Sequence, residues 1–403
     1  MLRTLIRTSV LLSLPALRTS VLLSLPALLT AQPAEVRLGT PDATWREPFT
    51  TITGVRELRD GRVMVSDGRD RTLQLLDFRG GGASPVGRTG AGPGEWGMPT
   101  RLHAMRGDST LMEDPANGRF LLFTPDGRPG ATFRIADGSP AALASLVGVE
   151  PSGRLILSRE RYAATEAAGT AGVIDLLRYD RASGRTETIA QLAMPRGERS
   201  GAQTLPGGML QMFTNLPLAP RDAAAVHPES GVAIVRASGY RVEWLLADGR
   251  RVAGPPGPAP RIRVTNAEQE AFLRAQVRPG RITVSGPAPG AAAGGAGSPG
   301  AIPRTSAADL RALTNPDMTW PAEKPPFQTG GVLAAPGGRV WVLRSRAHDD
   351  AVPRYDVFDA GGRVVQRIVL PAGARVVGFG RGSVYVARTD ADDLQHLERH
   401  RLP

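Results

Sequence analysis

The 403-residue sequence contains no cysteine and a single lysine, Lys324. Without cysteine, the chain has no disulfide, no thiol nucleophile and no thiol for lipid attachment. The other basic residues are arginines spread along the whole chain, although the formal net charge is +11. Nucleic-acid binding usually needs basic residues clustered on one face with stacking aromatics, so we expect no nucleic-acid partner.

Common catalytic motifs are missing as well. The sequence has no G-x-S-x-G nucleophile elbow, no H-E-x-x-H zinc motif and no G-x-x-x-x-G-K-[ST] phosphate loop. Aromatic residues make up only 5% of the chain. We therefore predict no catalytic residue, no metal ligand and no cofactor.

Glycine and proline are abundant, with 48 and 35 residues, which suits a chain with many tight turns. A glycine turn followed by an alternating strand recurs six times: RDGRVMVSD, RGDSTLMED, PSGRLILSR, PESGVAIVR, PGGRVWVLR and GRGSVYVAR. Most copies are followed by an apolar strand that closes in a polar glycine turn. Successive copies begin about 45 residues apart where no insertion lies between them, a spacing typical of propeller blades.

Residues 87–127 contain one complete repeat. A glycine-rich passage ends at Pro99, and three short strands follow at 101–105, 109–113 and 119–123. The opening has Gly90, Gly92, Gly94, Glu95, Trp96 and Pro99, the loop has Asp114, Asn117 and Arg119, and the hairpin has Phe123, Asp126 and Gly127.

This repeat resembles the NHL type of β-propeller repeat, and the chain resembles secreted bacterial six-bladed propellers. The resemblance implies an all-β fold with six four-stranded antiparallel blades. In such blades the inner and outer hairpin turns lie on one side of the disc. The blade-to-blade connections and the middle turns lie on the other side.

The first 31 residues have the pattern of an export signal. Arg3 and Arg7 precede an apolar run, and small residues end it before Gln32. We therefore expect residues 32–403 to form the mature propeller in the periplasm or outside the cell. We expect a monomer without stable membrane insertion once the signal is removed.

Blade 6 has three predicted strands, near 374–378, 383–387 and 394–402, and the sequence ends at Pro403. An unpaired sheet edge invites aggregation, so a propeller has to close its ring. We predict that Glu35 to Leu38 crosses over to supply the outer strand of blade 6.

Two insertions interrupt the repeat. Residues 194–222 predict an extra hairpin or loop between blades 3 and 4. The second insertion, 255–326, lies between blades 4 and 5 and begins with a capping-box helix at Thr265. A Gly/Ala/Pro segment at 285–303 is predicted to be flexible, and a second short helix is predicted from Ser306.

The strand count places the glycine-rich passage and the Asp114 loop on the same face of the disc. The ligand-binding residues we predict there are Arg88, Glu95, Trp96, Asp114 and Arg119. The alternative is structural: Glu95 and Trp96 pack the blade border, and Asp114 satisfies loop amides.

Binding is the function that we favour, with a protein, peptide or glycan as the partner. The alternatives are a metal-dependent enzyme of the lactonase or lyase type, which shares this general architecture, and a purely structural component. A metal enzyme needs a set of ligands in the channel. Only His103 and His227 are predicted near inner strands, while His396 and His400 are predicted to be solvated.

Overall fold

Six sheets surround a central channel and form a β-propeller, as the sequence predicted. The computed structural model describes residues 33–162, 172–194, 198–205, 208–214, 217–277 and 320–403. The predicted export signal, the 285–303 segment and the helix from Ser306 lie outside these residues. No helix among the described residues is long and apolar enough to cross a membrane.

The described chain begins with two short strands, β1 (Ala34–Arg37) and β2 (Ala43–Thr44). The strands of blade 1 are β3 (Ile52–Glu57), β4 (Val63–Asp67), β5 (Thr72–Asp77) and β6 (Gly82–Pro85). A small parallel pair follows, formed by β7 (Arg88–Thr89) and β8 (Glu95–Trp96). The strands of blade 2 are β9 (Leu102–Ala104), β10 (Thr110–Asp114), β11 (Arg119–Phe123) and β12 (Pro129–Phe133).

The strands of blade 3 are β13 (Ser145–Val149), β14 (Leu155–Tyr162), β15 (Gly172–Tyr179) and β16 (Thr186–Met194). The first insertion forms the predicted hairpin, β17 (Glu198–Leu205) with β18 (Gly208–Thr214). The strands of blade 4 are β19 (Ala223–His227), β20 (Gly231–Arg236), β21 (Arg241–Leu245) and β22 (Arg251–Ala253).

The second insertion contains helix α1 (Asn266–Val277), which begins directly after Thr265 as predicted. The strands of blade 5 are β23 (Phe327–Ala335), β24 (Arg339–Arg344), β25 (Arg354–Phe358) and β26 (Val364–Val369). Blade 6 has β27 (Ala374–Phe379), β28 (Ser383–Thr389) and β29 (Gln395–Arg401).

Apolar side chains fill the spaces between neighbouring blades. Each of six buried clusters takes its residues from two adjacent blades, and together they complete the circle. The second strand of a blade is buried on both faces, as β4 illustrates with all five residues buried. This explains why the second strands have nearly continuous apolar sequences instead of strict alternation.

The N-terminal segment closes the ring, but not with the residues that the sequence suggested. β2 pairs antiparallel with β29 and is the outer strand of blade 6. The predicted closing segment forms β1 instead, which pairs parallel with β26 as a fifth strand on blade 5. The prediction for Glu35 to Leu38 was therefore wrong. The open edge of β26 accepts that segment before the chain reaches blade 6.

The two faces of the disc carry different connections. The face that we call the loop face contains the starts of the inner strands and the turns between second and third strands. The opposite face, the hairpin face, contains the turns between first and second strands, such as the one between β3 and β4.

Candidate functional site

The five predicted ligand-binding residues lie together on the loop face between blades 1 and 2. Trp96 is only 1% exposed and packs edge-on against Phe123, with 6.4 Å between ring centroids. The passage wraps tightly around this indole: a Cβ at Gly87, which has φ +61°, would lie 2.4 Å from Trp96. The buried Trp96 indole thus packs at the border between blades 1 and 2.

Asp114 is fully buried and its carboxylate is saturated with donors. It accepts hydrogen bonds from the backbone of Gly97 (3.0 Å) and Met98 (3.2 Å), from Asn117 Nδ2 (2.7 Å) and from Arg119 Nε (3.4 Å). The guanidinium of Arg119 also donates to the carbonyls of Ala91, Gly92 and Glu95. These two side chains fix the glycine-rich passage to blade 2.

Glu95 and Arg88 complete this cluster at the surface. The Glu95 carboxylate accepts hydrogen bonds from the amide of Gly92 (2.8 Å) and from Arg88 Nε (2.6 Å), and both lower its pKa. The Arg88 side chain is 82% exposed. Four of the five predicted residues are thus engaged mainly with their own loop, and the fifth, Arg88, is mostly exposed. The ligand-binding role of all five stays a prediction.

A different set of residues lines the central channel. The inner strands of the six blades enclose a cavity of about 410 Å³, which includes Arg101, His103 and Arg375. A second cavity of about 1050 Å³ opens above it and shares Gly330, Arg375 and Val376 with it. Of the described residues that line either cavity, none belongs to the predicted cluster of five.

The larger cavity, which we call the channel mouth, lies on the loop face. Its walls include Thr51 before β3, Phe327 at the start of β23 and Gln395 at the start of β29. β23 bulges there: Phe327 pairs with Arg344 and the next pair is Val332 with Val342, so residues 328–331 have no register partner on β24. These four residues line the cavity, which also has Phe272 and Leu343 as apolar walls.

The charges of the channel mouth are all of one sign. Its lining contains Arg221, Lys324, Arg346 and Arg375. In the described part of the chain, no carboxylate lines it. Arg221 is paired with Glu160 and Lys324 with Glu268, which leaves Arg346 and Arg375 as the two lining cations without a carboxylate partner among the described residues.

Helix α1 is fixed at this mouth by the chain's only lysine. The Lys324 ammonium contacts the carboxylate of Glu268, which is 2% exposed, and donates to the Arg346 carbonyl at 2.9 Å. The Glu268 carboxylate also accepts a hydrogen bond from the backbone amide of His348 at 2.8 Å. Burial raises the pKa of Glu268, but these contacts outweigh it and lower the pKa overall. The helix therefore forms a firm wall beside the cavity.

Burial perturbs the ionisable groups within the channel. Arg101 keeps solvent contact there, yet the surrounding blades desolvate it and lower its pKa. The pKa of Arg375 is lowered by burial and further by the charge of Arg101. Burial and Arg101 also lower the pKa of the half-buried His103 to about 4. At neutral pH Arg101 and Arg375 are therefore cations, and the His103 imidazole is neutral.

The other histidines have structural positions. The His227 side chain is buried, with 2% exposed. Its Nδ1 accepts hydrogen bonds from the backbone amides of Glu229 and Ser230. Its Nε2 lies 2.9 Å from the Ala335 carbonyl of blade 5. His396 is bound to Asp390, and His400 is 1% exposed. The prediction of a solvated pair was wrong for His400, because β2 and the turn before it cover that strand. Among the described residues, no three His, Asp or Glu side chains converge as a metal-ligand group.

Because His103 is neutral when folded, acidification should destabilise the protein. The unfolded state binds a proton near pH 6.5 and the folded state only near pH 4, so stability is present above 6.5 and falls between these values. We expect His103→Gln to remove on the order of 1 kcal/mol of the loss between pH 7 and pH 5. Urea unfolding at both pH values measures this, and equal losses in both proteins would contradict it.

Comparison with known proteins finds similar solved structures but assigns no family. No family model and no curated protein matches the chain. Among solved structures it is similar to virginiamycin B lyase from Staphylococcus aureus, with 9% identity and a TM-score of 0.37 over 90% of this chain and 99% of that chain. It is also similar to PQQ-bound aldose sugar dehydrogenase from Streptomyces coelicolor, with 13% identity and a TM-score of 0.39 over 90% and 97% of the chains. A third is regucalcin, a calcium-binding protein from Agrobacterium tumefaciens, with 12% identity and a TM-score of 0.36 over 92% and 98%.

Proposed function

We propose that this chain is an exported, NHL-like propeller that binds an acidic peptide segment of a partner protein at the channel mouth. Export is supported by the signal pattern of residues 1–31. The observation that carries the binding proposal is the basic, carboxylate-free lining of a 1050 Å³ cavity in the described structure. One-signed charge in a concave site attracts ligands of the opposite sign.

A peptide suits the cavity better than a glycan for two reasons. The bulge at residues 328–331, which have no register partner on β24, offers backbone hydrogen-bonding groups to an extended chain. The apolar walls formed by Phe272, Phe327 and Leu343 match apolar side chains between the acidic ones. The ligand that we propose is therefore an extended segment with alternating acidic and apolar residues.

Selection from a random peptide library tests this proposal without a known partner. We expect peptides selected on the wild-type protein to be enriched in Asp and Glu, and to bind about tenfold more weakly to Arg346→Gln. Arg128→Gln, an exposed change away from the mouth, is the matched control. Selected peptides without acidic enrichment, or equal losses in both variants, would contradict the proposal. An array of uronic and sulfated oligosaccharides run in parallel would reveal a glycan ligand instead.

A further inference from the structure

Two arginines that line the upper part of the channel, Arg101 and Arg375, have only neutral hydrogen-bond partners among the described residues. Several other arginines, whose side chains are less than one fifth exposed, are paired with carboxylates: Arg56 with Asp108, Arg119 with Asp114, Arg178 with Glu150, Arg236 with Asp222, and Arg344 and Arg367 with Asp356. Arg101 and Arg375 have no carboxylate partner among the described residues. Their contacts are to neutral oxygens.

These neutral contacts aim both guanidinium groups into the channel. Arg101, directly before β9, reaches from blade 2 across to blade 5, where its Nη2 donates to the Gly330 carbonyl at 3.3 Å. Arg375 in β27 donates to the Ile52 carbonyl at 2.6 Å and to Gln395 Oε1 at 2.9 Å. A Cβ at Gly330 would meet nothing within 4 Å, so there is open space beside the two groups.

The carboxylate that lines the channel does not reach this region. Among the described lining residues, the one carboxylate is Glu229, which follows β19 and lies on the hairpin face. Arg56, the third arginine of the channel, is held by Asp108 at that same end. The channel thus has its unpaired positive charge at the loop face only.

Unpaired cations in a partly desolvated site raise the free energy of the folded protein. Each arginine also repels the other, which is why the charge of Arg101 lowers the pKa of Arg375. An anion between them would remove both penalties. The planar guanidinium fork matches a carboxylate in two parallel hydrogen bonds.

We propose that the upper channel, between Arg101 and Arg375, binds one carboxylate group. The cavity of about 410 Å³ has room for the group that bears it, and the neutral imidazole of His103 lies beside it as a further polar contact. The inference deepens the proposed function, since the carboxylate would belong to the peptide that enters through the mouth. A free organic acid offers the same chemistry.

Thermal melting with succinate tests the site directly, using the expected mature protein, residues 32–403. At constant ionic strength, succinate should raise the midpoint of the wild type more than chloride does, because it binds the folded state. Arg101→Met should abolish this rise while melting no lower than the wild type without ligand, because it removes an unpaired cation. Arg375→Gln should also abolish the rise, and the control Arg128→Gln should keep it.

Two outcomes would overturn the proposal: a rise that is the same in Arg101→Met and Arg128→Gln, or no rise at all with either succinate or peptide. A selected acidic peptide with a free C-terminus and its C-terminal amide separate the sources. If the amide binds about tenfold more weakly, the carboxylate is the C-terminal one. If succinate and the peptide termini have no effect but acidic peptides still bind at the mouth, only this inference fails and the proposed function stands.

Discussion

Replacing Trp45 with alanine should lower the free energy of unfolding by about 3–5 kcal/mol, because it removes a buried indole from the closure of the ring. Trp45 directly follows β2, is 3% exposed and packs edge-on against Phe78, with 5.5 Å between ring centroids. Its amide donates to the Leu397 carbonyl of blade 6 at 2.8 Å. It thus ties the outer strand of the last blade to blade 1.

Urea unfolding measures this effect. The matched control is Trp320→Ala, since Trp320 packs against Phe272 at the base of the insertion and takes no part in ring closure. We expect the control to cost less than half as much. A Trp45 variant as stable as the wild type would mean that the ring does not depend on its N-terminal closing strand.

The second large effect is expected for Asp114→Ala, at about 3–5 kcal/mol of stability. The substitution leaves Arg119, which is only 10% exposed, without its carboxylate and frees the amides of Gly97 and Met98. Asp126→Ala, in an exposed turn of the same blade, should change stability by less than about 1 kcal/mol.

Chemical denaturation together with peptide binding distinguishes the two interpretations of the Asp114 cluster. If the cluster is structural, the Asp114 variant loses stability but its folded fraction binds selected peptides with unchanged affinity. If it is a ligand site, the variant keeps its stability and loses affinity. The second result would support the ligand-binding role that the sequence predicted for Asp114.

The blades were predictable because most of their strands have their own local signal. Glycine turns separate short apolar strands, as in the sixth blade, where the predicted and observed strands agree within two residues. The closure was harder to predict, since β2 has only two residues and no pattern of its own. Its pairing is decided by which sheet edge is open, and this is a property of the assembled ring.

The channel could not be derived from the sequence for a related reason. Arg101 and Arg375 look like any other arginine in a chain rich in that residue. Only the register of each inner strand decides which side chains face the channel. The predicted cluster, in contrast, was found through its motif, and the motif residues turned out to interact mainly with one another.

Hydrogen exchange with a selected acidic peptide bound tests the central claim most directly, because it locates the contact on the backbone. We expect the amides of residues 328–331 to gain protection on binding, since that bulged stretch of β23 has no register partner and lines the channel mouth. Protection confined to the glycine-rich passage at 87–97, with residues 328–331 unchanged, would contradict binding at the channel mouth.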